Sequence, residues 1–167
     1  TTIPTGIELR PYQEATGASI RQELQWQNEQ ILVSIGRLAA EKNLKTLLSA
    51  CALVMKTNPK TRLILIGDGP QKEELKKFAK DLGISERVYF PGLVPFEKIP
   101  KYLKAADIFC FASVSETQGL VTMEAMAAGL PVVAVSGTGT TEIVQDGCTG
   151  ILTENSPEAL AQAILHI

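Results

Sequence analysis

From residue 31 onward the chain alternates between two hydrophobic rhythms. Short runs that are apolar almost without interruption (ILVSI at 31–35, LILI at 63–66, VVAV at 132–135) read as strands covered on both faces. Six strands are predicted: Ile31–Ile35, Arg62–Ile66, Arg87–Phe90, Asp107–Phe111, Pro131–Val135 and a short Gly150–Leu152. Between them, apolar residues recur at the spacing of a helix face. Leu44, Leu47, Leu48, Cys51 and Met55 form one such face, Leu75, Phe78, Ala79 and Leu82 a second, and Ile99, Tyr102, Leu103 and Ala106 a third. A fourth helix, Leu120–Ala128, is expected to turn Leu120, Met123 and Ala127 toward the core. Gly83 stands where a helix ends in a left-handed glycine. Ser156, Pro157 and Glu158 read as N-cap, first helical residue and first-turn carboxylate of the last helix. Such alternation requires right-handed crossovers, so the fold expected is α/β with a doubly wound, mainly parallel six-stranded sheet. Residues 1–30 form a linker or first segment in which Ile3–Arg10 reads as extended and Ala18–Gln25 as a short helix.

Composition narrows the function by exclusion. The 167 residues suit one domain, 1–167, with 45% hydrophobic and 20% charged residues. A net charge of −2 argues against a nucleic-acid binder. Cys51, Cys110 and Cys148 are odd in number and widely spaced, which fits a reducing compartment better than a disulfide framework or a zinc site. The single histidine, His166, is next to the end, so no Ser-His-Asp machine is built mid-chain. The uncharged stretch from Ala125 to Thr141 is interrupted by Gly129, Pro131, Gly137 and Gly139 and cannot span a membrane. No signal peptide is visible, and a chain opening on Thr1 rather than Met reads as a piece of a longer polypeptide.

Ligands of open parallel sheets bind outside the carboxyl ends of the strands. The loops there begin at Gly36–Arg37, Gly67–Asp68–Gly69, Pro91–Val94, Ala112–Gly119 and Ser136–Thr141. Their glycines either let backbone approach a ligand closely or merely permit the turns. The domain is Rossmann-like, yet neither G-x-G-x-x-G nor GxxxxGK[ST] is present, which removes dinucleotide redox chemistry and ATP hydrolysis. Phosphate can instead be held by side-chain cations near a helix start. Arg37 directly follows the first strand and Lys42 comes five residues later at the start of the next helix, so both can oppose one diphosphate above the sheet edge, unless Lys42 simply pairs with Glu41 or water on an exposed first turn.

The loop Ser115–Gly119 opens the fourth helix, whose first amides, from Gly119, Leu120 and Val121, can meet an anion or a sugar oxygen. Glu116 precedes that helix and Glu124 lies within it, eight residues on. An unpaired carboxylate in so apolar a helix (LVTMEAMAA) is costly, and one that accepts two hydroxyl protons suits a ribose or a hexose; the alternative is a solvated glutamate on the helix's outer face.

Five stretches in order, SIGRLAAEKNLKTLL (34–48), LILIGDGPQKEEL (63–75), VYFPGLVP (88–95), ADIFCFASVSETQGLVTMEAMAAGLPVVA (106–134) and TEIVQDGCTGIL (141–152), resemble the carboxyl-terminal, donor-binding half of GT-B fold glycosyltransferases of family 4, the group 1 transferases. The spacing from Glu116 to Glu124 followed by EAMAAGLPVV is the most specific match. The resemblance implies a retaining, metal-independent hexosyltransferase that uses a nucleoside-diphosphate sugar, with a UDP-sugar the expected donor, and no cofactor. It implies that Arg37 and Lys42 stabilise the leaving diphosphate and that Glu116 lies near the transferred sugar. It further implies that Glu124 binds the ribose, that Thr117, Gly119 and Leu120 contact sugar or phosphate, and that Leu93 and Val94 flank the base next to Gly36. Gln118 departs from the aromatic residue usual in the family. SETQGL together with IPTGIE resembles glucosyltransferases acting on diacylglycerol lipids. That implies a cytoplasmic enzyme working at the inner face of the membrane, in peripheral contact with it, and completed by an amino-terminal acceptor domain. Lysines at 72, 76, 77, 80, 98, 101 and 104 fit an anionic surface or simply solvated helix faces. A sugar-nucleotide epimerase of the same fold and a non-catalytic nucleotide-binding module are the alternative readings.

Overall fold

The structure, a computed structural model, describes residues 6–115, 119–137 and 139–167. Six strands, β1 (Gln30–Ile35), β2 (Thr61–Ile66), β3 (Val88–Gly92), β4 (Ile108–Phe111), β5 (Val132–Val135) and β6 (Gly150–Thr153), form one sheet in the order β3-β2-β1-β4-β5-β6. Every neighbouring pair is parallel. The helices are α1 (Arg10–Glu14), α2 (Ala18–Leu24), α3 (Leu44–Thr57), α4 (Lys72–Asp81), α5 (Ile99–Ala105), α6 (Leu120–Ala127), α7 (Thr140–Ile143) and α8 (Pro157–His166). The six predicted strands are all present. Arg10 starts a helix rather than ending an extended segment, because Tyr12 two residues on is drawn into the core.

Alternate residues of each strand serve opposite faces. Leu32, Leu63, Ile108, Cys110 and Val133 pack under α3, α4 and α8; Ile31, Val33, Ile64, Phe109 and Val132 pack under α1, α2, α5 and α6. Both faces are therefore dry, which is why these strands read as unbroken apolar runs. Cys51 and Cys110 are core residues, and burial pushes the Cys51 thiol up to about 12. Ser156 caps α8 as expected, its hydroxyl accepting from the Ala159 N–H at 3.1 Å. Gly83 adopts φ +71° and closes α4, with its N–H donating to the Lys80 carbonyl and that of Ile84 to Ala79.

One helix is rotated from expectation. In α6 the buried positions are Thr122 and Ala125, with Ala128 just beyond; of the expected core residues Ala127 packs partly buried against that core, whereas Leu120 and Met123 are partly exposed and outside it. The helix is apolar nearly all round, so its own pattern sets no preferred face and the neighbours decide.

Order reverses between β1 and β4, which carry on in opposite directions across the sheet. Loops leaving these two central strands must diverge there and open a crevice at the carboxyl rim. The opposite rim is closed. Arg21 of α2 donates to both Asp107 oxygens (3.0 and 2.8 Å) and to the Trp26 and Glu29 carbonyls, and Asp107 also accepts the Ile31 N–H at 2.7 Å.

Candidate active site

At the carboxyl rim lies a cleft of about 320 Å³. Its floor is apolar, from Ile35, Ile66, Ile99 and Val94, with Leu93 exposed at the lip and Arg37 and Asp68 at its polar margin. Of the expected site residues, Gly36, Arg37, Leu93 and Val94 are brought together here. Arg37 is exposed and makes no ion pair among the described residues. An apolar slot with a guanidinium beside it is suited to a flat ring that carries an anion.

Lys42 belongs to the single turn Ala40–Lys42 that follows. Its stem folds back over Gly36: a β-carbon there would lie 3.9 Å from Lys42 Cε. Its Nζ stands 5.7 Å from the centroid of the Phe111 ring at the end of β4. The Lys42 stem thus lies over Gly36, the residue before Arg37, at the point where the strand order reverses.

The loops beyond β1, β2 and β3 are locked to one another. Gly36 N–H donates to the Ile66 carbonyl and Gly67 N–H to Gly92, both at 3.0 Å, while Leu38 N–H reaches the Asp68 carbonyl at 2.9 Å. At Gly67, φ is +139° and a β-carbon would meet the Gly36 carbonyl oxygen at 1.9 Å. Its glycine is required by the neighbouring loop. The turn-forming and packing alternative holds at this position. Asp68, which the sequence suggested as a loop-orienting residue without assigning it to the site, takes that role. Its carboxylate accepts from Lys72 Nζ and the Gly69 N–H, each at 2.8 Å, and the lysine foremost holds its pKa below the usual value. It orders the loop that forms one wall of the cleft.

Glu124 stands on the second turn of α6, on the same side of the sheet as the cleft but not in its lining. It is half-buried, and burial raises its pKa. The group facing it is the Tyr12 hydroxyl of α1, fully buried and too loosely aligned for a hydrogen bond of standard geometry. Burial first, and the Glu124 charge second, drive the Tyr12 pKa upward. Tyr12 carried no signal in the sequence, because its neighbour is more than a hundred residues away. Gly119 is buried at the head of α6 with φ +59°, and a β-carbon on it would strike Ile143 of α7. Leu120, partly exposed, follows it. Glu116 and Thr117 lie outside the described residues. A larger apolar groove between residues 7–13, α6 and Ile143 contains none of the expected site residues. Among the described residues no cluster of three His, Cys, Asp or Glu side chains could hold a metal ion.

A doubly wound parallel sheet with cations at its switch point is an α/β domain whose carboxyl rim suits an anionic ligand. Comparison with known proteins makes the class specific. Residues 18–167 match the family model for glycosyl transferases of group 1, and the chain belongs to that family. It is 38% identical over 170 residues to an alpha-monoglucosyldiacylglycerol synthase of Streptococcus pneumoniae, which covers 98% of this chain and 38% of that protein. A D-inositol 3-phosphate glycosyltransferase of Nocardia farcinica is 35% identical over 94% of this chain and 37% of its own length. Among solved structures, HepE of Anabaena in complex with UDP and glucose superposes with a TM-score of 0.88 at 29% identity, over 99% of this chain and 46% of that one. The fold is that of one half of a GT-B glycosyltransferase. The chain spans about two-fifths of the length of the curated relatives it matches.

Proposed function

We propose that this chain is the donor-binding half of a retaining, metal-independent glycosyltransferase that takes a hexose from a UDP-sugar and delivers it to a hydroxyl of a glycerolipid. The observation that carries the reading is that Gly36 and Arg37 line an apolar cleft at the carboxyl rim while the Lys42 stem lies over Gly36. In this reading the base enters the cleft beside Leu93 and Val94, the ribose hydroxyls donate to Glu124, and the diphosphate rests against the two cations. Glu116, Thr117 and the amides of Gly119 and Leu120 attend the sugar. In the reaction the bond from the anomeric carbon to the phosphate oxygen breaks and the acceptor oxygen bonds that carbon from the same face. The hydroxyl proton passes to the departing phosphate oxygen. Arg37 and Lys42 stabilise the charge that develops on the leaving group, which is the electrostatic work that accelerates the step.

UDP and glucose in the HepE structure support the donor, and the diacylglycerol glucosyl transfer named for two relatives supports the acceptor class. The acceptor site belongs to the remaining part of the relatives' length, so this chain is expected to bind donor and to transfer nothing alone. A glycerolipid acceptor puts the enzyme at the cytoplasmic face of a membrane as a peripheral protein; among the described residues no helix is long and apolar enough to cross one. Calorimetric titration with a panel of nucleoside-diphosphate sugars tests the donor. UDP-glucose is expected to bind, and Arg37→Ala and Glu124→Ala are each expected to weaken it by about 1.5–3 kcal/mol. Unchanged affinity in both variants would refute the site.

A further inference from the structure

Asn43, immediately after Lys42, has a backbone that few residues accept. Its φ of +53° and ψ of +37° lie in the left-handed region, where asparagine is among the best tolerated non-glycine residues. Such a conformation persists where the surroundings over-determine it, and here the side chain reaches three partners. Its Nδ2 donates to the Ala112 carbonyl at 3.1 Å and to Asn155 Oδ1 at 2.7 Å, and its Oδ1 accepts the Thr46 hydroxyl at 2.8 Å. A second tie runs beside it. The buried Ser113 hydroxyl lies 3.2 Å from the Glu41 carbonyl and 3.1 Å from that of Ser115. The turn that carries Lys42 is thus fastened to the loop after β4 and to the loop between β6 and α8. The turn and the start of α3 already close through their own main chain, with Lys42 N–H on Ala39, Asn43 N–H on Ala40 and Thr46 N–H on Asn43. What the side-chain clasp adds is the location of that turn relative to β4, and with it the place where the lysine stem begins.

We infer that Asn43 is a positioning residue for Lys42: by clasping the β4 and β6 loops it holds the ammonium group where the diphosphate of the donor sits. The inference rests on the reading of Arg37 and Lys42 as a diphosphate site. Asn43 itself touches no substrate. Its effect is therefore confined to ligands that carry the diphosphate and is exerted through Lys42.

The test compares UDP with uridine, titrated into the 167-residue chain by calorimetry and ligand-observed NMR. Asn43→Gly keeps the left-handed backbone and removes the clasp. UDP is expected to bind about tenfold more weakly to it. Uridine affinity should change by less than about twofold, and in a Lys42→Ala background Asn43→Gly should alter UDP affinity by less than about twofold as well. Undiminished UDP affinity, an equal loss for uridine, or a full loss persisting in the Lys42→Ala background would each overturn the inference. Should Asn43→Gly fail to fold, Ser113→Ala, which cuts the neighbouring tie of the same turn, is judged by the same three outcomes. If Lys42→Ala alone leaves UDP affinity unchanged, the diphosphate reading itself fails; if Lys42→Ala weakens UDP binding and Asn43→Gly does not, only the role of Asn43 fails.

Discussion

At the amino ends of the strands, Arg21 is held by Asp107 and two main-chain carbonyls, Arg62 donates to the Pro59 and Thr61 carbonyls, and Asn58 and Thr61 both donate to Gln30. At the carboxyl ends, Arg37 stands exposed beside an apolar cleft with no ion pair among the described residues. The same residue type does opposite work at the two rims. Where arginine is matched inside the protein, its charge is consumed in holding α2 and the strand starts together. Where it is left to solvent, at the rim whose central loops diverge, its charge is unmatched among the described residues and is the one proposed to meet a ligand. A side chain that stabilises the fold and one proposed to bind substrate thus differ in whether the protein supplies the partner.

Three changes would break or sharpen that contrast. The largest effect is expected from Asp107→Ala, which strips Arg21 and the Ile31 N–H of their acceptor. It should cost about 2–3 kcal/mol of stability and lower the melting temperature by roughly 5–10 °C. UDP affinity should not move. Loss of UDP binding at unchanged melting temperature would erase the distinction between the rims. Gly67→Ala comes next, because the added carbon collides with the Gly36 carbonyl at a φ of +139°. We expect about 1–3 kcal/mol of destabilisation together with weaker UDP binding. At this position fold and site share one contact, so chemical denaturation and calorimetry should both register the change.

The smallest effect concerns pH. Burial raises the Glu124 pKa, so its carboxylate is lost at a higher pH than an ordinary glutamate's. UDP-glucose affinity should then decline on acidification already above the usual glutamate range, and Glu124→Gln should flatten that decline. Stability runs the other way. A carboxyl group whose folded-state pKa exceeds the unfolded one bears its burial cost above the raised value. Its contribution to stability therefore increases as pH falls through that value toward the ordinary one. Titration of Glu124 by NMR, alongside affinity measured over the same pH series, checks both signs.

Much of this was legible in the chain, for reasons that differ by element. Strands buried on two faces leave unbroken apolar runs, so β1 to β6 could be located within a residue or two. Once the strands are located, their carboxyl ends follow, and Gly36, Arg37, Leu93 and Val94 can be named as rim residues before any coordinates exist. The rotation of α6 could not be read, because a helix apolar on every side has no pattern to read. Neither could Tyr12 or Asn43. Tyr12 acquires its role from Glu124, and Asn43 from Ala112 and Asn155, partners brought close only by the folded sheet.

What the amino-acid order determined by itself was therefore the alternation of strands and helices, and through it the rim on which chemistry must lie, since periodicity and capping are local properties. Tertiary structure alone decided which charges are matched and which are offered to a ligand, and which side chains hold the cationic turn in place. Those outcomes depend on pairings across tens of residues, and no local rule of sequence encodes a distance between loops.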